Sequence, residues 1–211
     1  MTGKILTIAQ QKGGAGKSTL AAHLALAWVL KRKSVALVDI DPQQSLAAWY
    51  AAREEQFGED KTGLTFEAVT GWRAARTVEK LADDHDYVLI DSPPHADTDA
   101  RVAVRAAGLV LVPAQPSPLD IWATMPTLEL AQKEKSDVLL VLNRVPPRAN
   151  LTAQMITKLG DYPVKVAKAT IGNRVAFADA MVTGRTALET KGSSVAAKEI
   201  RALANELARK I

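Results

Sequence analysis

Lys12-Gly13-Gly14-Ala15-Gly16-Lys17-Ser18-Thr19 closes on Gly-Lys-Ser-Thr and carries a lysine at each end of its glycine run. An ordinary phosphate-binding loop reads G-x-x-x-x-G-K-[ST], which would put its first glycine at position 11, where this chain has Gln11. Lys17 alone suffices to hold β- and γ-phosphates, so the early Lys12 needs a separate explanation. Upstream, residues 4–9 (KILTIA) form a short β-branched apolar run that reads as a strand. Downstream, residues 17–31 (KSTLAAHLALAWVLK) are rich in Ala and Leu and read as a helix. Strand, glycine loop and helix is the order the motif requires. Gly13, Gly14 and Gly16 let backbone N–H groups converge on phosphate oxygens, and the helix start adds its positive dipole end.

Around this loop, apolar runs recur at residues 34–39, 64–69, 87–91, 109–113 and 137–143, with a weaker one at 163–167. Several lack polar alternation, as expected of strands covered on both faces. Helical segments are expected between and after them at about 45–56, 72–84, 98–106, 119–133, 149–160, 174–182 and 194–210. That alternation predicts an α/β fold of three layers, a doubly wound, mostly parallel sheet of about seven or eight strands flanked by helices. Ligands in such sheets sit beyond the C-terminal strand ends.

The chain of 211 residues fits one domain, expected over 1–211. It has no cysteine, which excludes disulfides, thiolate zinc sites and iron–sulfur clusters built on its own thiols. No charged-then-apolar leader opens it, and no apolar stretch approaches the roughly 20 residues that cross a bilayer, so a cytoplasmic location is expected. The net charge of +4 is unevenly spread. Residues 1–143 carry 15 Lys/Arg against 18 Asp/Glu, a net −3, and residues 144–211 carry 12 against 5, a net +7. A basic last third points to a polyanionic partner, or to a solvated basic face.

Two apolar runs end in aspartates, as Val38-Asp39-Ile40-Asp41-Pro42-Gln43 and Leu89-Ile90-Asp91-Ser92-Pro93-Pro94. Magnesium takes hard oxygen ligands, so the Ser18 hydroxyl would bind it directly and Asp91 would orient a water on it. Only one of Asp39 and Asp41 is expected to serve the phosphates. Asp41 is favoured, one step farther beyond the strand and just before Pro42, where a carboxylate can position an attacking water. Ser18, Asp41 and Asp91 are thus the candidate metal set. Helix capping by the two aspartates, or a pair with Lys17, is the alternative.

With these residues in view, the chain resembles the ParA/MinD family of deviant phosphate-loop ATPases, most of all the short ParA proteins. The resemblance rests on KGGAGKST at 12–19, DIDPQ at 39–43, DSPP at 91–94, VPAQPSPLD at 112–120 and LNRVPPRA at 142–149. The first strand is expected from residue 4, so the N-terminal helix-turn-helix domain of longer relatives is not expected here. The resemblance implies ATP and Mg²⁺ as cofactors, slow hydrolysis unless stimulated, and a homodimer formed on ATP binding. In it Lys12 reaches the nucleotide of the other subunit and acts much as an arginine finger does. It implies that Lys17 is the principal phosphate lysine, with Gly13, Gly14, Ala15, Gly16, Ser18 and Thr19 completing the cradle. Asp41 acts on the water, and Asp91 with Pro93 and Pro94 senses the γ-phosphate. Asn143 meets adenine, with Arg144 beside it in the nucleotide site; Asn143 as an ordinary strand-end turn residue is the alternative.

Family members divide by the surface they bind. The tail VAAKEIRALANELARKI (195–211) has an apolar stripe at 196, 200, 203, 207 and 211, but it lacks aromatics and its other face mixes both charges. That reads as a helix packed on the sheet, with no stable membrane insertion. Non-specific double-stranded DNA is the better-supported partner. Arg144, Arg148, Lys165, Lys168, Arg174, Arg185 and Lys191 could neutralise phosphates, Lys168 and Arg174 foremost, with Arg148 and Arg185 next. A nucleoid-associated protein stimulated by a ParB-like or other cargo-adaptor protein is the resulting expectation. A MinD-like membrane regulator and a small-molecule synthetase or kinase of the dethiobiotin synthetase type are the alternatives. Trp28, Trp49, Trp72 and Trp122 read as packing residues. His23, His85 and His95 share no ligand spacing, although His95 follows the DSPP segment and could sense its state.

Overall fold

A computed structural model describes residues 3–94, 98–147 and 164–211. In chain order the elements are β1 (Lys4–Ile8), α1 (Lys17–Val29), β2 (Val35–Asp39), α2 (Ser45–Phe57), β3 (Thr65–Ala68), α3 (Arg73–Asp84), β4 (Tyr87–Asp91), α4 (Thr98–Ala106) and β5 (Leu109–Ala114). There follow α5 (Pro118–Trp122), α6 (Met125–Lys133), β6 (Val138–Leu142), β7 (Lys165–Val166), α7 (Val175–Met181), α8 (Ala187–Thr190) and α9 (Val195–Leu207). The seven strands form one sheet in the order β3-β2-β4-β1-β5-β6-β7, every pairing parallel.

Alternate residues of each strand point to opposite faces, and the core divides accordingly. Leu6, Leu37, Leu89, Leu111 and Leu139 pack under α1, α2 and α9 on one face. Val38, Val88 and Ile90 meet α3 and α4 on the other, and Val110 and Val112 meet α4 and α6. This is why the strands read as unbroken apolar runs, and it makes the three-layer α/β fold expected of a phosphate-loop protein. α1 is the most enclosed helix, with Leu20 to Trp28 all buried. Trp28 stacks flat on Tyr87, ring centres 4.2 Å apart.

The stripe of α9 is buried at Ala196, Ile200, Leu203 and Leu207 in the same core as α1. Its apolar face is consumed by packing. Among the described residues no helix is long and apolar enough to cross a membrane.

Some expectations are corrected. The helix expected over 119–133 is two: α5 ends at Trp122 and α6 opens at Met125 with Pro126 in its first turn. Proline lacks an N–H and fits a helix start better than its interior. α8 was not anticipated, though Thr186 and Glu189 form a capping box whose T-x-x-E signature stands in the sequence. Only Trp28 and Trp49 are packing residues; Trp72, at the entry to α3, and Trp122, ending the short α5, are 80% and 62% exposed. Both sit at helix ends, where no neighbouring layer covers them. The helix expected over 149–160 and His95 lie outside the described residues.

Candidate nucleotide-binding site

Strand register brings the candidate residues to one level. Asp91 pairs in register with Ile8 on one side and with Asp39 on the other, and Ala114 pairs with Leu142, the residue before Asn143. The glycine loop rises from β1 in the middle of this edge. Gly14 and Gly16 adopt φ of 73° and 91°, the left-handed region that side chains resist. A Cβ on Gly16 would also stand 2.7 Å from Asn143 Nδ2. Asn143 donates that amide to the Ala15 carbonyl at 2.7 Å and accepts from the Arg144 amide at 3.0 Å, so its side chain ties the end of β6 to the loop.

The loop is also fastened at its start. Gln10 donates Nε2 to the Pro113 carbonyl and to Thr124 Oγ1, both at 3.1 Å, and its Oε1 accepts from the Lys12 amide at 3.3 Å. Lys12 Nζ turns away from its own loop to Asp120 Oδ1 of α5, 2.7 Å distant. Asp120 is nearly buried and accepts from the Ser117 hydroxyl, while Ser117 caps α5 by accepting from the Asp120 amide. Asp120 is the residue that sequence reasoning missed; it stood inside the quoted VPAQPSPLD stretch, but nothing in that stretch says which side chain it meets.

The acidic residues sort by partner. Asp39 accepts from the Asp41 amide and the Ala47 amide, both at 3.0 Å, so it pins the turn into α2; burial raises its pKa. Asp41 lies beyond the strand, nearly buried, and accepts from the Gln43 amide at 2.9 Å. Asp91 is fully buried and neither of its oxygens has a hydrogen-bond partner of normal geometry. Burial pushes its pKa up to about 7, opposed by the nearby Ser18 hydroxyl. Ser92 hooks its hydroxyl onto the Ile8 carbonyl at 3.0 Å and so locks the segment entering buried Pro93 against the loop strand. Among the described residues no three acidic or imidazole side chains converge as a ready metal cage, but an orphaned buried carboxylate beside a serine hydroxyl suits a hard cation whose remaining ligands come from elsewhere. Ser18 and Asp91, with Asp41 close by, therefore fit Mg²⁺ accompanied by phosphate oxygens and water.

A cavity of about 250 Å³ opens beside the loop, lined by Gly16, Thr19, Asn143, Gly172, Arg174 and Phe177 among others. His23 borders it from α1 with its ring edge-on to Phe177. Its Nδ1 meets the Thr19 carbonyl at 2.8 Å and its Nε2 accepts from the Ala187 amide at 3.0 Å, so it is a core histidine. Of the basic candidates, Lys168 is exposed. Arg174 is paired through two nitrogens with Glu199, and Arg185 lies over Phe57, 5.4 Å from the ring centre. Arg148 lies outside the described residues.

A glycine loop at the end of the central strand, an aspartate-ended neighbour and an adjoining cavity define a phosphate-loop nucleotide-binding protein of the α/β class. Residues 6–187 match the CobQ/CobB/MinD/ParA nucleotide binding domain, and the chain belongs to that family. It is 30% identical over 210 residues to "Maintenance of carboxysome distribution protein A" of Halothiobacillus neapolitanus, covering 96% of this chain and 95% of that protein. It is 27% identical to the sporulation initiation inhibitor protein Soj of Bacillus subtilis, with 98% of both covered. Among solved structures, septum site-determining protein MinD of Pyrococcus horikoshii, complexed with Mg-ADP, superposes with a TM-score of 0.78 at 21% identity, over 97% of this chain and 95% of that one.

Proposed function

We propose that this chain is a ParA-type Mg²⁺-ATPase that assembles on ATP as a sandwich dimer, holds double-stranded DNA non-specifically in that state, and lets go after hydrolysis. The observation that carries the proposal is Lys12: a lysine inside a phosphate loop whose ammonium points away from that loop, to Asp120. A cation placed this way is available to the nucleotide of a second subunit once the ion pair opens.

In the proposed reaction, loop amides and Lys17 bind the phosphates, and Asp41 orients the attacking water and takes up its proton. The partner subunit's Lys12 meets the charge that builds on the transferring phosphoryl group. Mg²⁺, held by Ser18 and Asp91 with Asp41 nearby, would neutralise phosphate charge. Asn143 keeps the loop closed against β6, with Arg144 next to it at the cavity.

The DNA and cargo parts of the reading draw on the basic last third of the sequence and on the named roles of the carboxysome-distribution and Soj relatives. Exposed Lys168 leads the DNA-facing set, with Lys165 and Lys191 exposed as well. Arg174 and Arg185, engaged within the fold, contribute less than their charge suggests. A cargo-adaptor protein would stimulate turnover, and the protein would sit on the nucleoid in the cytoplasm. The apolar stripe of α9 is spent in the core, which weighs against its use as a MinD-like membrane anchor. The CobQ/CobB members of the family keep the small-molecule synthetase alternative in view.

Lys12→Ala is the test. The variant should still bind ATP but stay monomeric on ATP in sedimentation, and its DNA-stimulated hydrolysis should fall at least about a hundredfold, as loss of a transition-state cation does. Wild-type hydrolysis in this variant would overturn the assignment.

A further inference from the structure

The loop on the far wall of the 250 Å³ cavity is fastened from outside by the last helix. Glu199 accepts from the Gly172 amide at 3.2 Å, from Arg174 Nε at 2.8 Å and from Arg174 Nη2 at 2.6 Å. Two turns along, Glu206 accepts from the amides of Lys168 and Ala169, at 3.1 and 3.0 Å. Residues seven apart share a helix face. α9 therefore turns an apolar stripe to the core beside α1 and a pair of carboxylates to residues 168–174.

The two carboxylates hold different parts of that loop. Gly172 and Arg174 line the cavity, whereas Lys168 and Ala169 do not. The Arg174 guanidinium folds back over Gly172 so closely that a Cβ there would stand 2.9 Å from its nitrogens. On its inner side the loop is laced to the strand edge. The Ile171 amide donates to Leu142, the Val145 amide to Ile171 and the Asn173 amide to Val145, at 2.9, 2.9 and 2.8 Å. Residues 171–173 of that wall are thus fixed from within by the β6 edge, and Gly172 and Arg174 from without by Glu199.

We propose that Glu199 is the positioning residue for base discrimination: with the Ile171, Gly172 and Asn173 amides engaged within the fold, it holds residues 171–174 where their backbone carbonyls accept from the amino group of adenine and repel the keto group of guanine. The proposal rests on the nucleotide reading given above. Backbone groups separate an amino from a keto purine only when held within hydrogen-bonding distance of the base edge, because a mispaired buried polar group is what rejects the wrong ligand. The Glu199 clasp on Gly172 and Arg174 fixes that distance.

The test compares wild type, Glu199→Gln, Arg174→Ala and Glu206→Gln in calorimetric titrations with ATP, GTP and inorganic triphosphate, all with Mg²⁺. Glu199→Gln should weaken ATP binding about tenfold and narrow the ATP-to-GTP preference by a similar factor, as loss of a charge-assisted hydrogen bond does, while triphosphate binds as in wild type. Arg174→Ala should shift the same ratio and keeps the question open to measurement if Glu199→Gln folds poorly. Glu206→Gln should lower the melting temperature without changing the ratio. An unchanged ATP-to-GTP ratio in both Glu199→Gln and Arg174→Ala, or equal losses for ATP and triphosphate, would overturn the proposal. A wild type that binds no nucleotide would overturn the ATPase reading as well.

Discussion

His23 is a titratable ring sealed inside the protein, between the first turn of α1 and the start of α8. Burial lowers its pKa from 6.5 to about 4. Between those values the unfolded chain binds a proton that the folded chain refuses, so stability falls as pH drops from 6.5 towards 4 and levels off below. The full loss is about 3 kcal/mol. His23→Gln should flatten this slope in urea titrations across the same window; an unchanged slope would mean that other groups set the acid limit. Residue chemistry of this sort was only partly legible in the sequence. The two-lysine loop and the aspartate-ended strands announced themselves because their meaning is local. The Lys12 contact was hidden because Asp120 lies 108 residues away in sequence. Asp39 and Asp41 could be named as a pair, but their division of labour depends on which amides the turn into α2 presents.

Elements were more legible than residues, for a physical reason. A strand covered on both faces must be largely apolar, and the inner strands β2, β4, β5 and β6 stand where such runs occur, whereas the edge strands β3 and β7 are only partly covered. Helix ends were harder. Pro126 cut one expected helix in two, and the four-residue α8 has too few positions to show a period. α9 gives the scale's own prediction. Leu203 is completely buried, so Leu203→Ala should cost about 2–5 kcal/mol in chemical denaturation. A loss below about 1 kcal/mol would show that α9 contributes little to the core and would reopen a membrane role for its stripe.

At the scale of the whole molecule, the net −3 of residues 1–143 against the net +7 of residues 144–211 is a distribution no single contact explains. If the basic part meets DNA phosphates, affinity for duplex DNA should fall steeply as salt rises from about 50 to about 200 mM, because each neutralised phosphate releases counterions. Binding insensitive to salt would contradict phosphate contacts. Trp122 gives the assembly an internal gauge. Its indole stands in water two residues beyond Asp120, while Trp28 and Trp49 are shielded from solvent in every state that keeps the fold. An event that draws Lys12 away from Asp120 and brings a second surface onto α5 would therefore shift the emission of Trp122 to shorter wavelength, and Trp72→Phe would remove the other exposed indole from the signal. The protein's own light would then report its association, with no label attached.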